Sequence, residues 1–356
     1  MRLERKVREN RVLRIAYIGD ASGTSLHRAR ALERLGHDVT IIDPLKFLGR
    51  SKWVSRWLYH AGGIGVGLIV DQPIFELVSR SRPDLIFINQ GEFLGPKLLR
   101  RLRKLGTPIV NYTNDNPFVK QGRSRFRYYR KAISYYDLIV VVRKSNVGQA
   151  RIAGAKHVMR VWFSADEKAH APRTLSPEVR RKYESDVVFV GTWFPERGPF
   201  MAELIRRGVP LAIWGNRWQK AREWPIIAPY WRGHGIYGEG EYAAAILSAR
   251  VCLGLLSKGN HDLHTGRSIQ IPAMGGLLCA ERTSEHLALY REGTEAVFWD
   301  DVEECAYQCH RLLRDEHLRH EIAKRGHERA LKNNLFNEPV LSSILDKTFQ
   351  VAGSRV

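Results

Sequence analysis

Residues 250–281, RVCLGLLSKGNHDLHTGRSIQIPAMGGLLCAE, decide the fold. RVCLGLL (250–256) is a short apolar run with no polar alternation, the pattern of a strand covered on both faces. A polar, glycine-marked loop follows, then IQIPAMGG (269–276), which reads as a short helix, and LLCAE (277–281), a second strand. Strand, loop, helix and strand in so few residues predict a right-handed crossover between parallel neighbours.

The same alternation extends in both directions. In the second half, DVVFVG (186–191), PLAIWG (210–215) and EAVFW (295–299) read as strands. FMAELIRRG (200–208), YAAAILSA (242–249) and stretches over 302–313 and 315–331 read as helices, the last with Leu318, Ile322 and Ala323 inward. In the first half, strands are expected at VLRIAYIG (12–19), HDVTIID (37–43), DLIFIN (84–89), PIVNYT (108–113), DLIVVV (137–142) and HVMRVWF (157–163). A helix over 24–35 turns Leu26, Ala29, Leu32 and Leu35 inward and ends at Gly36. Another, PKLLRRLRKLG, carries a stripe of Leu98, Leu99, Leu102 and Leu105. Residues 164–185 lose the periodicity and contain two prolines. The expected fold class is α/β: two Rossmann-like domains with parallel sheets facing a cleft, and a helical C-terminal tail. The expected boundaries are a basic extension (1–11), an N-terminal domain (12–165), a linker (166–185), a C-terminal domain (186–330) and a C-terminal helix or tail (331–356).

Charge narrows the partners. The 356 residues hold 57 Lys and Arg against 37 Asp and Glu, a formal net charge of +20. Such a field favours nucleotides, acidic sugars, nucleic acid or an anionic membrane leaflet. No apolar run is long enough to span a bilayer, and the basic N-terminus lacks the apolar core of an export signal. The four cysteines fall in the last third, two of them in strand-like runs, which fits a reducing cytosol and no disulfide framework. Cys305 and Cys309 share a helix face with Leu312 and read as core. His261, Asp262 and His264 lack a further spaced ligand, so no metal site is assigned.

In open parallel sheets, ligands bind beyond the carboxyl ends of the strands, so the residues there are the candidates. Gly19, Gly23 and Thr24 follow the first strand and form a candidate phosphate or acceptor loop at a helix N-terminus. The glycine spacing is not GxGxxG, so a dinucleotide is disfavoured. His27, in the first helical turn, and Asp115, after the fourth strand, are candidate acid–base groups, although Asx-turn chemistry would also place Asn and Asp at the second position. In the second half, Gly191 and Thr192 precede Arg197, whose fork suits a diphosphate. The loop 255–268 carries Lys258, Asp262, His264, Thr265, Arg267 and Ser268, an anion cradle ending at a helix N-terminus.

These residues carry a resemblance. DVVFVGTW, then ELIRRGVPLAIWG, then ILSARVCLGLLSKGNHDLHTGRSIQIPAMGGLLCAERTSEHLALYREGTEAVFW and LLRDEHLRHEIAKRGHERAL together resemble the glycosyltransferase 1-like family typified by the spore maturation protein CgeB, within the GT-B superfamily. The likeness is strongest over 186–330 and looser before, through the first strand, LERLGHDV and YTNDNP. It implies a nucleotide-diphosphate sugar held mainly by the C-terminal domain, with no cofactor and no obligatory metal. On that pattern Arg197, Lys258 and Arg267 face phosphates, and the backbone near Gly191 and the helix N-terminus after Arg267 face the donor. Gln270 stands where many GT-B enzymes place a glutamate on the donor ribose; its amide can hydrogen-bond a hydroxyl but carries no charge. Asp262 stands where such enzymes often carry another carboxylate.

The acceptor is expected on the N-terminal domain. Residues 45–60 and 120–136 mix Lys and Arg with Trp, Tyr and Phe, a composition suited to a membrane surface bearing a lipid-linked acceptor. Nucleic acid is disfavoured but open. The expected activity is a cytoplasmic hexosyltransferase-type reaction, peripheral on the inner membrane face or free, that transfers sugar to a hydroxyl of a glycan or lipid-linked acceptor in cell-surface polysaccharide or glycoconjugate synthesis. Its alternatives are a DNA-modifying glycosyltransferase, a sugar-nucleotide epimerase and a non-catalytic nucleotide-binding protein.

Overall fold

A computed structural model describes residues 11–49, 54, 57–58, 62–119, 124–236 and 240–353. The basic extension and much of the basic–aromatic segments at 45–60 and 120–136 lie outside these residues. The chain divides into two compact units: Met1–Trp162 together with Asn337–Val356, and Phe163–Phe336.

The first unit is built on six parallel strands: β1 (Arg14–Ile18), β2 (Asp38–Ile42), β3 (Leu85–Asn89), β4 (Ile109–Thr113), β5 (Leu138–Val141) and β6 (Val158–Arg160), in the order β2-β1-β3-β4-β5-β6. Every residue of β3, β4 and β5 is buried, which is why these runs show no alternation. Helices cover the sheet, and Val70, Ile74, Val78, Leu98, Leu99 and Leu102 pack with Ile86, Ile88 and Ile109 in one core.

Two of these helices escape a reading by hydrophobic pattern. Gly67–Ser81 contains Pro73, and Lys144–Ile152 buries only Asn146 and Ala150. The end of the chain, expected as a helix or tail, is helical. Helix Asn337–Gly353 groups with the first unit, burying Leu341, Ile344, Leu345 and Val351. It packs against helix Gly23–Arg34, where Arg34 pairs with Glu338.

The second unit repeats the plan with β7 (Ser185–Val190), β8 (Leu211–Trp214), β9 (Trp231–Gly233), β10 (Ala249–Gly254), β11 (Leu278–Glu281) and β12 (Val297–Trp299), in the order β12-β11-β10-β7-β8-β9. All five pairings are parallel. Its core joins Val187, Phe189, Leu211, Ile213, Val251 and Leu253 to Cys305, Cys309 and Leu312.

The stretch expected to link the domains is integral to this unit. Ala165 and Asp166 are buried, and helix Pro177–Tyr183 starts on a Ser176 cap. Buried Tyr183 donates its hydroxyl to Glu241 at 2.9 Å and packs with Ile236, Ala244 and Ala245. Prolines and charges here mark a capped surface helix, and one buried tyrosine anchors it. Among the described residues, no helix is long and apolar enough to cross a membrane.

Each strand order contains a reversal. In the first unit it falls between β1 and β3, in the second between β7 and β10. At such a point the adjoining crossovers leave in opposite directions and open a crevice at the carboxyl edge.

Candidate functional site

The crevice of the second unit lies between residues 191–196, after β7, and 255–265, after β10. Close backbone approach shapes its first side. Gly191 donates its N–H to Trp214 and accepts from the Trp218 indole at 3.0 Å. A Cβ on Gly191 would meet the Phe189 ring at 2.7 Å, and one on Gly215 would lie 1.9 Å from the Gly191 oxygen.

Two arginines converge here. Arg197, at the start of helix Arg197–Arg206, donates to the carbonyls of Thr192 (2.7 Å) and Leu256 (3.0 Å). Arg267, in the first turn of helix Gly266–Ala273, donates to the carbonyl of Leu255 at 2.9 Å. Their guanidinium carbons lie 5.3 and 5.5 Å from the centroid of the Phe189 ring. Burial, and then the charge of Arg267, pull Arg197 down to about 9, which still leaves it cationic at neutral pH. Burial lowers Arg267 as well, while Tyr242 and Asp262 act in the opposite direction. The Nε–H of each guanidinium is buried without a hydrogen-bond partner among the described residues. Buried like charges with unspent donors form a site for an anion with several oxygens.

A hydrogen-bonded strut holds the loop behind this pair. The N–H of Thr265 donates to Ser268 Oγ at 3.0 Å, and Ser268 lies 2.7 Å from His286 Nε2. His286 Nδ1 lies 2.6 Å from the Glu281 carbonyl, which can only accept, so Nδ1 carries the proton and Nε2 accepts from Ser268. Burial pushes His286 down to about 4, so it is neutral at pH 7. His264 is fixed likewise: the N–H of Phe163 donates to Nε2 at 3.1 Å, which leaves Nδ1 to donate to Glu285.

The structure therefore brings Gly191, Thr192, Arg197, Asp262 and Arg267 together, with Asp262 close enough to act electrostatically on both arginines. His264 and Ser268 are almost wholly buried and serve as struts. Lys258, expected on phosphate, is exposed, and its ammonium is paired with Glu281. Gln270 is buried on the helix, with its amide beside Gly266. Glu281, Glu285 and His286 were not singled out from sequence. The signal available was a carboxylate at the end of LLCAE and Thr-Ser-Glu-His opening the next helix; Glu281 also ties the N–H of Leu256 at 2.9 Å.

In the first unit, Gly19 follows β1 at the reversal; a Cβ there would meet Ser25 Oγ at 2.8 Å and Asn89 Cβ at 2.9 Å. Gly23 and Thr24 open helix Gly23–Arg34 and are exposed, and His27 is half-buried on its first turn. Buried Arg28 donates to the Thr24 carbonyl at 3.0 Å and lies 4.3 Å from the Tyr112 ring centroid. Asp115 follows β4, one strand away from the reversal, and Arg125 engages it at 2.8 Å while also binding Glu92. The Asx turn weighed for this segment belongs to Asn116, which accepts from Phe118 N at 3.1 Å and from Asn146 at 2.9 Å. Gln90, Asn111 and Thr113, unremarked in the sequence, form an amide and hydroxyl network at the ends of β3 and β4. Elsewhere, the thiols of Cys279, Cys305 and Cys309 lie within 4.8 Å of one another in the core.

Known proteins share this fold. Residues 197–340 match a family model described as glycosyl transferase-like, a stretch that includes both arginines and the Gln270 helix. No curated protein matches the chain. Among solved structures, sucrose-phosphate synthase from Thermosynechococcus elongatus is similar with a TM-score of 0.67 at 14% identity, over 97% of this chain and 100% of that one. Anabaena HepE in complex with UDP and glucose gives a TM-score of 0.65 at 12% identity, over 94% and 100%. A putative UDP-N-acetylglucosamine 2-epimerase from Listeria monocytogenes gives 0.55 at 11% identity, over 91% and 95%.

The fold is thus that of the GT-B glycosyltransferases, with two six-stranded parallel sheets and a helical C-terminal region. The glycosyl transferase-like model matches 144 of the 356 residues and does not distinguish the narrower CgeB type.

Proposed function

We propose that this protein is a glycosyltransferase that takes a hexose-type sugar from a nucleoside-diphosphate sugar and places it on a hydroxyl of a glycan or lipid-linked acceptor, on the cytoplasmic side of the cell. The observation that carries this reading is the Arg197–Arg267 pair at the β7/β10 reversal, each with a buried, unpartnered Nε–H. In the reaction, the bond between the sugar carbon and the diphosphate oxygen breaks, and the acceptor oxygen bonds to that carbon. Charge grows on the leaving diphosphate, and two preorganised guanidiniums beside it stabilise that charge with little reorganisation. In this reading they and the N-terminus of helix Gly266–Ala273 supply the positive field without an obligatory metal. Gln270 is assigned to a ribose hydroxyl. For the acceptor proton we retain His27 as the base of the N-terminal unit, because Asp115 is engaged by Arg125. HepE, a solved relative in fold, is crystallised with UDP and with UDP-glucose, which supports a uridine nucleotide as the first to try.

Thermal shift with a panel of nucleoside diphosphates and their sugars tests the reading. One nucleotide is expected to raise the melting temperature of the wild type and to lose that effect in Arg267→Ala. Wild-type stabilisation that survives Arg267→Ala removes the assignment. With the donor known, release of nucleoside diphosphate only when an acceptor is present supports transfer. Donor consumption without acceptor points to an epimerase, and binding without any turnover to a non-catalytic nucleotide-binding protein.

A further inference from the structure

The first unit carries an apolar patch that its core does not use. Ile64 is 56% exposed, Leu68 85% and Ile69 48%. Ile64 sits in the turn 62–66, and the other two open helix Gly67–Ser81. The core side of the same helix is already supplied by Val66, Val70, Ile74 and Val78. Residues 62–70, GGIGVGLIV, hold no charged or polar side chain. The turn is nonetheless built: Gly62, Gly63 and Gly65 all take positive φ, and the Tyr128 hydroxyl accepts from Gly65 N at 3.0 Å.

Cations rim the patch. Gln72 lies one turn beyond Leu68 and Ile69, and Arg101 donates to it at 3.0 Å while its guanidinium carbon sits 3.9 Å from the Phe75 ring centroid. Lys97 and Arg101 both act electrostatically on Asp71 in the same helix, and Lys97 and Arg100 are exposed on helix Pro96–Arg103. Lys46 is in the short helix Pro44–Phe47, which packs against Gly67–Ser81.

We infer that this face docks on an anionic bilayer, with Ile64, Leu68 and Ile69 entering the headgroup–acyl boundary and Lys97, Arg100 and Arg101 meeting lipid phosphates. Single exposed apolar residues are ordinary; three together on a glycine-built turn and helix start, edged by more cations (Lys97, Arg100, Arg101) than carboxylates (Asp71, Glu76), match an interfacial anchor. Charge complementarity favours this occupant, because a +20 chain meets an anionic leaflet. A second copy of the chain would bring the same cations face to face. Three aliphatic side chains also fall far short of the roughly 800 Å² per partner that stable interfaces bury. The inference is independent of the donor site and stands if that reading fails.

Flotation of the full chain with vesicles tests it, using phosphatidylcholine alone and phosphatidylcholine mixed with phosphatidylglycerol, at low and high salt. The wild type is expected to float with the mixed vesicles at low salt, to release at high salt, and to stay behind with phosphatidylcholine alone. Leu68→Gln with Ile69→Gln should lower the partition coefficient about tenfold or more. Lys97→Gln with Arg101→Gln should lower it roughly 25-fold. Melting temperatures close to wild type are expected for both, since all four side chains lie at the surface or on its edge. Failure of the wild type to float overturns the inference, as does equal flotation with both vesicle types or wild-type flotation by the Leu68/Ile69 variant. A wild-type dimer in sedimentation that Leu68→Gln with Ile69→Gln splits assigns the patch to self-association and overturns it too.

Discussion

Arg197 and Arg267 donate to the same carbonyl, that of Leu255, and lie against the same ring, that of Phe189. Two cations held this close repel each other, and the arrangement becomes favourable when an anion takes up the remaining donors. Arg197→Ala or Arg267→Ala is therefore expected to weaken nucleoside-diphosphate binding 10- to 100-fold, about 1.4–2.8 kcal/mol. The ligand-free melting temperature should change far less, because one of two repelling charges is gone. Calorimetric titration and thermal melts on the same samples separate the two effects.

The neutral state of His286 gives stability a pH dependence. Its folded value is near 4, below the ordinary 6.5 of the unfolded chain. Above pH 6.5 both states are neutral and the histidine contributes no slope. As pH falls from 6.5 towards 4, the unfolded state takes up a proton that the folded state refuses, and stability drops by up to about 3 kcal/mol. Urea midpoints at pH 7 and pH 5 should show this loss, and His286→Gln should flatten it.

Gly215→Ala tests the packing behind the donor loop. The new methyl would sit 1.9 Å from the Gly191 oxygen, so one of the two backbones must move. The expected cost is about 2–4 kcal/mol in chemical denaturation. Nucleotide binding should fall as well, since Gly191 leads into Thr192, whose carbonyl holds Arg197.

Glu281 ties the donor loop twice, through the N–H of Leu256 and the ammonium of Lys258. An exposed ion pair contributes roughly 0–1 kcal/mol, whereas the bond to backbone fixes the loop. Lys258→Ala is accordingly expected to weaken nucleotide binding no more than about threefold to fivefold. Glu281→Ala, which removes the acceptor of the Leu256 N–H, should lower the melting temperature more than Lys258→Ala does. A loss in Lys258→Ala as large as in Arg267→Ala would restore the direct phosphate contact.

His27 and Asp115 are separable by kinetics. With His27 as the base, His27→Ala should reduce kcat about 100-fold or more. Asp115→Asn should leave kcat near the wild-type value, because its carboxylate already pairs with Arg125. The inverse pattern would transfer the role to Asp115.

Much of the fold was legible because buried parallel strands write themselves as short apolar runs: β3, β4, β5, β11 and β12 each fall inside the stretch that the pattern indicated. Helix Lys144–Ile152 was not, since it buries an asparagine and an alanine and so carries no apolar stripe. Strand β9, three residues with an irregular register against β8, has too little pattern to find. The stretch 166–185 looked like a linker because charge and proline dominate it, yet Tyr183 and His170 fasten it to helix Glu241–Leu247.

For the site, residue types and their order pointed to a cationic loop ending at a helix N-terminus, because glycine, arginine and hydroxyl residues after a strand have few other uses. Which side chains reach the crevice is a long-range matter. Arg197 and Arg267 are seventy positions apart and meet only because β7 and β10 are neighbours in the sheet. Lys258 pairs with Glu281, and His264 and Ser268 act as struts, through partners no local window contains. Local sequence sets propensity and burial pattern; the pairing of charges depends on distances that exist only once the sheet has closed.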